Sequence, residues 1–278
     1  MNFRIAALLF FIMYTTSIFP QKEIDKAHLR LQYNHIWQYD TLVNVVRDDL
    51  IVLQIGENIS KSYSYYTFQN DSLKSTPNYR KVWHELFTKS IKDEGVKAVN
   101  FPHKRMRSCI YKNYPKGKMT VTDGFSSQNY IYEDELNAQQ WEINDSTKTI
   151  LDYQCQMAIC DFRGRGWTAW FTTDIPVSDG PWKFGGLPGL IMEAYDKRNQ
   201  YVFTIVGLQK MDDEPIFFSE TYVGSKRFEK TSRIDFLKAK KRYLMDMGGY
   251  IEMETGIDLS GGNPPKIMRY DLLELDYK

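Results

Sequence analysis

The four histidines, His28, His35, His84 and His103, are scattered through the chain. A zinc protease motif needs two histidines one helical turn apart, with a glutamate between them as general base. His84-Glu85 lacks the second histidine. A serine nucleophile on a strained strand-to-helix turn would read GxSxG, and no such string occurs. The acidic run Glu133-Asp134-Glu135 is expected to be solvated rather than a catalytic pair. Arg163 and Arg165 flank a turn; exposed hairpin charge is the expected reading, and an anion site is the alternative. The sequence therefore assigns no catalytic residue, no metal ligand and no cofactor.

The other reactive side chains are Cys109, Cys155 and Cys160. In an oxidising compartment three cysteines predict one disulfide and one free thiol. Cys155 and Cys160 lie five residues apart in a strand-like stretch, which places them on opposite faces and ~16 Å apart. A disulfide needs Cα atoms within about 7 Å, so that pair requires a bulge or a turn. Cys109 with either one is sterically simpler, and the choice of partner stays open.

One string stands out: Gly180-Pro181-Trp182-Lys183-Phe184-Gly185-Gly186-Leu187-Pro188-Gly189-Leu190-Ile191. Its prolines fix φ, and its glycines permit positive φ or close packing. Read structurally, it is a tight crossover in which Leu187, Leu190 and Ile191 plug the core. Read functionally, it is a binding loop, with glycine N–H groups as an anion nest and Trp182 and Phe184 as exposed platforms. It is neither a dinucleotide fingerprint nor a P-loop, because the GxGxxG spacing and a following Gly-Lys-Ser/Thr are missing. Trp167, Trp170, Trp182 and Phe184 are the candidate ligand-facing aromatics. Trp167 and Trp170 are three apart, so on a straight strand at most one lines a cavity.

The elements that must hold this string are mostly strands. Alternation of Leu29, Leu31 and Tyr33 within 27–39, the apolar run Leu50–Ile55, and Ser62–Phe68 read as strands. Ile150–Phe162 and Trp167–Ile175 flank a Gly-rich turn, and Leu190–Tyr195 and Tyr201–Leu208 flank another. Helical spacing appears in 78–91 (Val82, Trp83, Leu86, Phe87) and after Ser232 (Phe236, Leu237, Leu244). Residues 71–78 are expected as a loop. Gly261-Gly262-Asn263-Pro264-Pro265 is expected to begin a loose tail from about 260. The predicted class is β-rich α+β: one curved antiparallel sheet with a few short helices.

Composition sets the wider limits. Lys+Arg is 36 against 35 Asp+Glu, which lacks the basic excess that phosphate binding needs, so no nucleic acid is expected. Aromatics make up 15%, which favours strands. Residues 1–21 read as a signal peptide: Arg4, then the apolar run Ile5–Tyr14, then small polar residues. No cysteine lies near the expected cut, so a lipid anchor is not expected. Its removal takes away Arg4 and no acid, leaving 35 bases and 35 acids. No later run reaches the ~18 apolar residues of a spanning helix. Residues 22–278 are expected to be one domain, located in the periplasm or at the outer membrane.

The signature resembles that of the GLPGLI family, whose string stands intact at Gly186–Ile191. The flanks are similar too: Phe162-Arg163-Gly164-Arg165, Ala169-Trp170-Phe171, Asp174-Ile175-Pro176-Val177 and Gly180-Pro181-Trp182-Lys183-Phe184. The resemblance implies an exported envelope protein of Bacteroidota and implies no particular activity. A looser similarity to periplasmic lipoprotein-carrier half-barrels concerns fold alone. The expected function is a non-catalytic binding or carrier module for an apolar ligand or a partner segment. The alternatives are an accessory protein docking on an outer-membrane transporter, or a periplasmic hydrolase whose site forms only in three dimensions.

Overall fold

The computed structural model describes residues 21–40, 42, 45–95, 103–221, 227–257 and 271–277. Residues 1–20 of the expected signal segment 1–21 and the stretch 258–270 lie outside the described residues. The chain runs β1 (Gln21–Asp40), β2 (Val45–Gly56), β3 (Ser60–Ser64), α1 (Tyr65–Lys74), α2 (Tyr79–Glu94), β4 (Cys109–Lys112), β5 (Lys118–Phe125), β6 (Gln128–Glu135) and β7 (Glu142–Ile150). It continues with β8 (Tyr153–Phe162), β9 (Arg165–Thr172), β10 (Leu190–Asp196), β11 (Tyr201–Ser219), β12 (Glu229–Lys230), α3 (Arg233–Met245) and α4 (Met247–Thr255). The protein is β-rich α+β, as its composition predicts.

All described strands form one sheet in the order β12-β6-β5-β4-β3-β2-β1-β11-β10-β9-β8-β7. Pairing is antiparallel throughout except for the parallel β12–β6 contact. Two meanders, β1 to β6 and β11 back to β7, are joined by the long β1–β11 pair. The sheet is open, yet it must curl. β6 and β7 stand ten strand spacings apart, which is ~48 Å on a flat sheet. The six residues 136–141 that join them reach at most ~25 Å. The ends of the sheet are therefore drawn towards each other, leaving a seam between β6 and β7 with no strand pairing across it.

The inner face carries the core: Leu31, Tyr33, Leu53, Ile110, Met119, Phe171 and Phe203 are all buried. Alternation on β1 from Ala27 to Trp37 and on β11 from Tyr201 to Ile205 puts every second side chain there. α3 packs Phe236 and Leu237 against β5 and β6, as its spacing predicts. Two local expectations change. Ser62–Phe68 is not one strand, because the Ser64 hydroxyl accepts from the Thr67 N–H at 3.1 Å and caps α1, which runs on to Lys74 and leaves only residues 75–78 of the expected loop as a turn. Ile150–Phe162 breaks at Leu151-Asp152, both with positive φ, and this turn folds back the polar edge strand β7.

Candidate functional site

The connection from β9 to β10 spans 173–189 and contains most of the signature. It does not loop into solvent. It crosses the inner face of the curled sheet and fills it. The Trp182 N–H donates to the Ser62 hydroxyl of β3 at 3.2 Å. Phe184 is fully buried, edge-on to Trp167 at 4.7 Å and to Trp182 at 5.0 Å. On the seam side, the Trp141 indole donates to the Gly185 carbonyl at 2.8 Å and Gln139 donates to the Lys183 carbonyl at 2.9 Å. The 136–141 connection and the signature thus close the seam that strand pairing leaves open.

Two lysines anchor this plug. Lys112, from β4, donates to the Asp179 carboxylate at 2.5 Å, the Gly180 carbonyl at 2.7 Å and the Phe184 carbonyl at 2.5 Å. All three of its protons are used, and the loop wraps round them. Burial pulls this ammonium below the ordinary lysine range, and the Asp179 charge opposes that shift. Lys183 points the other way, out of the loop towards the seam. It pairs with Asp134 of β6 at 2.7 Å and with Glu274. Arg163, at the β8–β9 turn, also pairs with Asp134. Arg233 at the start of α3 binds Glu274 at 2.8 Å and Asp276 at 2.7 and 2.9 Å. Burial alone would raise the Asp276 carboxyl, but hydrogen bonds and charge from Arg233 and Arg163 hold it below its usual value. A cleft of about 660 Å³ opens beside this network, lined among others by Lys118, Glu133, Glu135, Arg163 and Arg233.

Most of the expected ligand-facing positions prove to be core. Trp167, Trp182 and Phe184 are buried against one another, so none is an exposed platform. Trp170 is buried on the other face of β9, with the Lys148 ammonium over its ring at 4.5 Å. The opposite-face reading of Trp167 and Trp170 therefore holds. Leu187, Leu190 and Ile191 are buried, as the crossover reading requires. The glycines divide by task. Gly186 has φ +84°, whereas Gly189 is needed for close approach: a Cβ there would lie 2.0 Å from the Thr172 carbonyl oxygen. Gly180 likewise lies against the Ile191 side chain. Trp182 itself adopts φ 52°, a left-handed geometry that costs ~1–2 kcal/mol for an L residue.

Three further expectations change. Asp134 is buried while Glu133 and Glu135 face out, because the run lies on a strand and alternates. Arg165 is buried, donating to Asp196 at 3.0 Å, Gln200 at 2.9 Å and the carbonyls of Leu272 and Leu273. The end of the chain is not loose over 271–277, where Leu272, Glu274 and Tyr277 are buried. All three cysteines are free. Unbroken pairing of β8 with β9 leaves no turn between Cys155 and Cys160, and Cys109 lies on β4, seven positions away in the sheet. Sequence reasoning passed over Lys112, Asp179 and Lys183. The one available signal was a lysine inside a string otherwise made of glycine, proline and apolar residues.

His35 is buried in a stack with Phe203 at 3.9 Å and Trp37 at 5.1 Å, while His28 borders a second, acidic cleft. Asp49 accepts from the Ser64 hydroxyl at 2.9 Å and from the N–H of Leu50 and Met106, so its bonds tie β2 to the α1 cap. Among the described residues, no group of His, Cys, Asp or Glu is placed to hold a metal ion. No helix among them is long and apolar enough to cross a membrane.

A family model described as "Protein of unknown function (Porph_ging)" matches residues 163–193. That stretch runs from the Arg163 turn through β9 and the plug into β10. No curated protein matches the chain. Two solved structures of PNGF-II, in the P21 and C2 space groups, are similar to 76% of this chain at 11% and 12% identity, each with a TM-score of 0.47. The chain spans 32% of the length of each.

Proposed function

We propose that the chain is an exported, non-catalytic binding module that grips a segment of an envelope partner at the charged seam, and not a carrier of apolar ligands. One observation carries this reading: Trp182, Phe184 and Leu187 fill the inner face that a half-barrel carrier would offer to its cargo. The space beside the signature is instead a cleft with both signs of charge on its walls, suited to recognition of polar chain segments. An accessory protein docked on an outer-membrane transporter is one form of this function.

Native mass spectrometry of the protein purified from its own periplasm tests the reading. A stoichiometric protein partner is expected, lost when Lys118, Glu133 and Glu135, all at the surface of the cleft, are changed together to alanine. A retained lipid without a protein partner overturns it. N-terminal sequencing of the same sample is expected to begin between Ile18 and Lys22; a chain beginning at Met1 overturns export.

A further inference from the structure

We propose that the groove between the Arg163 turn, Lys183 and Arg233 is a receptor for acidic peptide segments, which residues 271–277 occupy in cis. The inference rests on the binding-module reading above and names the chemistry of the partner.

The occupant forms neither helix nor strand. It is held as peptide ligands are held, by its main chain and by two carboxylates. The Leu275 N–H donates to the Arg163 carbonyl at 2.8 Å. Arg165 donates to the carbonyls of Leu272 at 2.6 Å and Leu273 at 3.0 Å, and the Tyr201 hydroxyl to that of Asp271 at 2.5 Å. The side chains that add charge recognition are Glu274 and Asp276. They are two residues apart, and Arg233 bonds both, so both turn to the same side. There Lys183, Arg233 and Arg163 converge from three separate elements.

The charge balance shows why such a segment is needed. On the groove side Lys183, Arg163 and Arg233 face the single buried acid Asp134. Two positive charges are left over, and Glu274 and Asp276 match them. Buried cations without partners are strongly unfavourable, so the groove selects for two carboxylates. The wall is also shaped for a passing chain. Gly164 has φ +76°, and a Cβ there would lie 3.0 Å from the Leu275 Cβ. The main-chain contacts require no particular sequence, so another acidic segment can make the same set. The cis occupant has the advantage of its tether, which raises its effective concentration to the order of mM. A partner segment competes by adding contacts in the cleft that shares Arg163, Arg233 and Asp134 with the groove.

The probe is a fluorescein-labelled peptide of residues 271–278, DLLELDYK. It is titrated against the full chain, against Glu274→Gln/Asp276→Asn, and against Leu272→Ala, which removes a buried anchor of the cis segment without touching its charges or the groove wall. Near-UV circular dichroism establishes folding of each. At least tenfold tighter peptide binding by the two variants than by wild type is expected, along with no binding of a peptide in which both acids are amides. Folded variants that ignore the peptide, or bind acidic and neutral peptides alike, overturn the inference. So does unfolding of both variants, which would make the segment an obligate part of the core. A native partner retained while the peptide fails to bind sinks only this inference. Peptide binding with no native partner sinks only the broader reading.

Discussion

The ammonium of Lys112 lies 2.5 Å from the carboxylate of Asp179, and both side chains are inside the protein. The pair ties a short strand on one limb of the sheet to the plug emerging from the other. Removing one partner leaves an uncompensated buried charge, a cost of ~3–5 kcal/mol. Lys112→Met is therefore expected to lower the unfolding free energy read from chemical denaturation by that amount. Lys112→Met combined with Asp179→Leu should lose clearly less than the two single changes added together. Additive losses would show that the two groups do not interact.

Leu190 and Ile191 are fully buried where the plug re-enters the sheet. Truncating either to alanine is expected to cost ~2–5 kcal/mol. Gly189→Ala is expected to be at least as damaging, since the new Cβ would overlap the Thr172 carbonyl, a backbone atom that cannot step aside. Thermal melts check all three. Variants as stable as wild type would place the signature at the surface.

Trp182→Ala and Phe184→Ala separate a plug from a platform. As parts of the core they should each cost ~3–5 kcal/mol and lower the melting temperature. Unchanged melting with loss of a native partner would restore the exposed-platform reading.

The readable part of this fold is the part governed by apolar periodicity. β1, β9, β11, α2 and α3 announce themselves through repeating apolar positions, and the signature announces itself through glycine and proline. β7 does not, because a polar edge strand such as Glu142–Ile150, largely exposed, has no buried face to impose alternation. The seam network was hidden for another reason. Asp134, Lys183 and Glu274 are 49 and 91 residues apart along the chain, and each alone looks like ordinary surface charge. Only the curl of the sheet, which follows from the short β6–β7 connection, brings them together. Arg165 is illegible for a similar reason: next to a hairpin glycine a charge is usually solvated, but here Leu272 and Leu273 cover it.

The cysteines give a simple count. Burial pushes Cys155 up to about 11 and Cys160 up to about 12, so neither holds a useful fraction of thiolate at neutral pH. Three thiols are expected to titrate in the denatured, unreduced protein, with slow labelling of Cys155 and Cys160 before denaturation. A count of one would reveal a disulfide and require a different path for β4 or β8.

Two buried groups give the stability a pH dependence of opposite signs. Burial lowers His35 to about 3, with the hydrogen bond to the Val202 carbonyl opposing it. The unfolded chain protonates this ring near 6.5, so the folded state loses stability as pH falls from about 6.5 towards 3. At pH 4.5 the loss is ~2–3 kcal/mol relative to pH 7. Asp49 behaves in reverse. Burial raises it to about 6, despite the N–H of Met106, the Ser64 hydroxyl, the N–H of Leu50 and the charge of Arg105. Its folded form takes up a proton that the unfolded chain accepts only near 3.8, so it adds stability as pH falls from 6 towards 4, ~2 kcal/mol by pH 4.5. The two nearly cancel in the wild type, and single variants uncover them. Going from pH 7 to 4.5, His35→Phe should gain ~2–3 kcal/mol of stability relative to wild type, and Asp49→Asn should lose ~2 kcal/mol. Urea denaturation at the two pH values reads both differences directly. Equal pH slopes in all three proteins would mean that neither group titrates from a buried site.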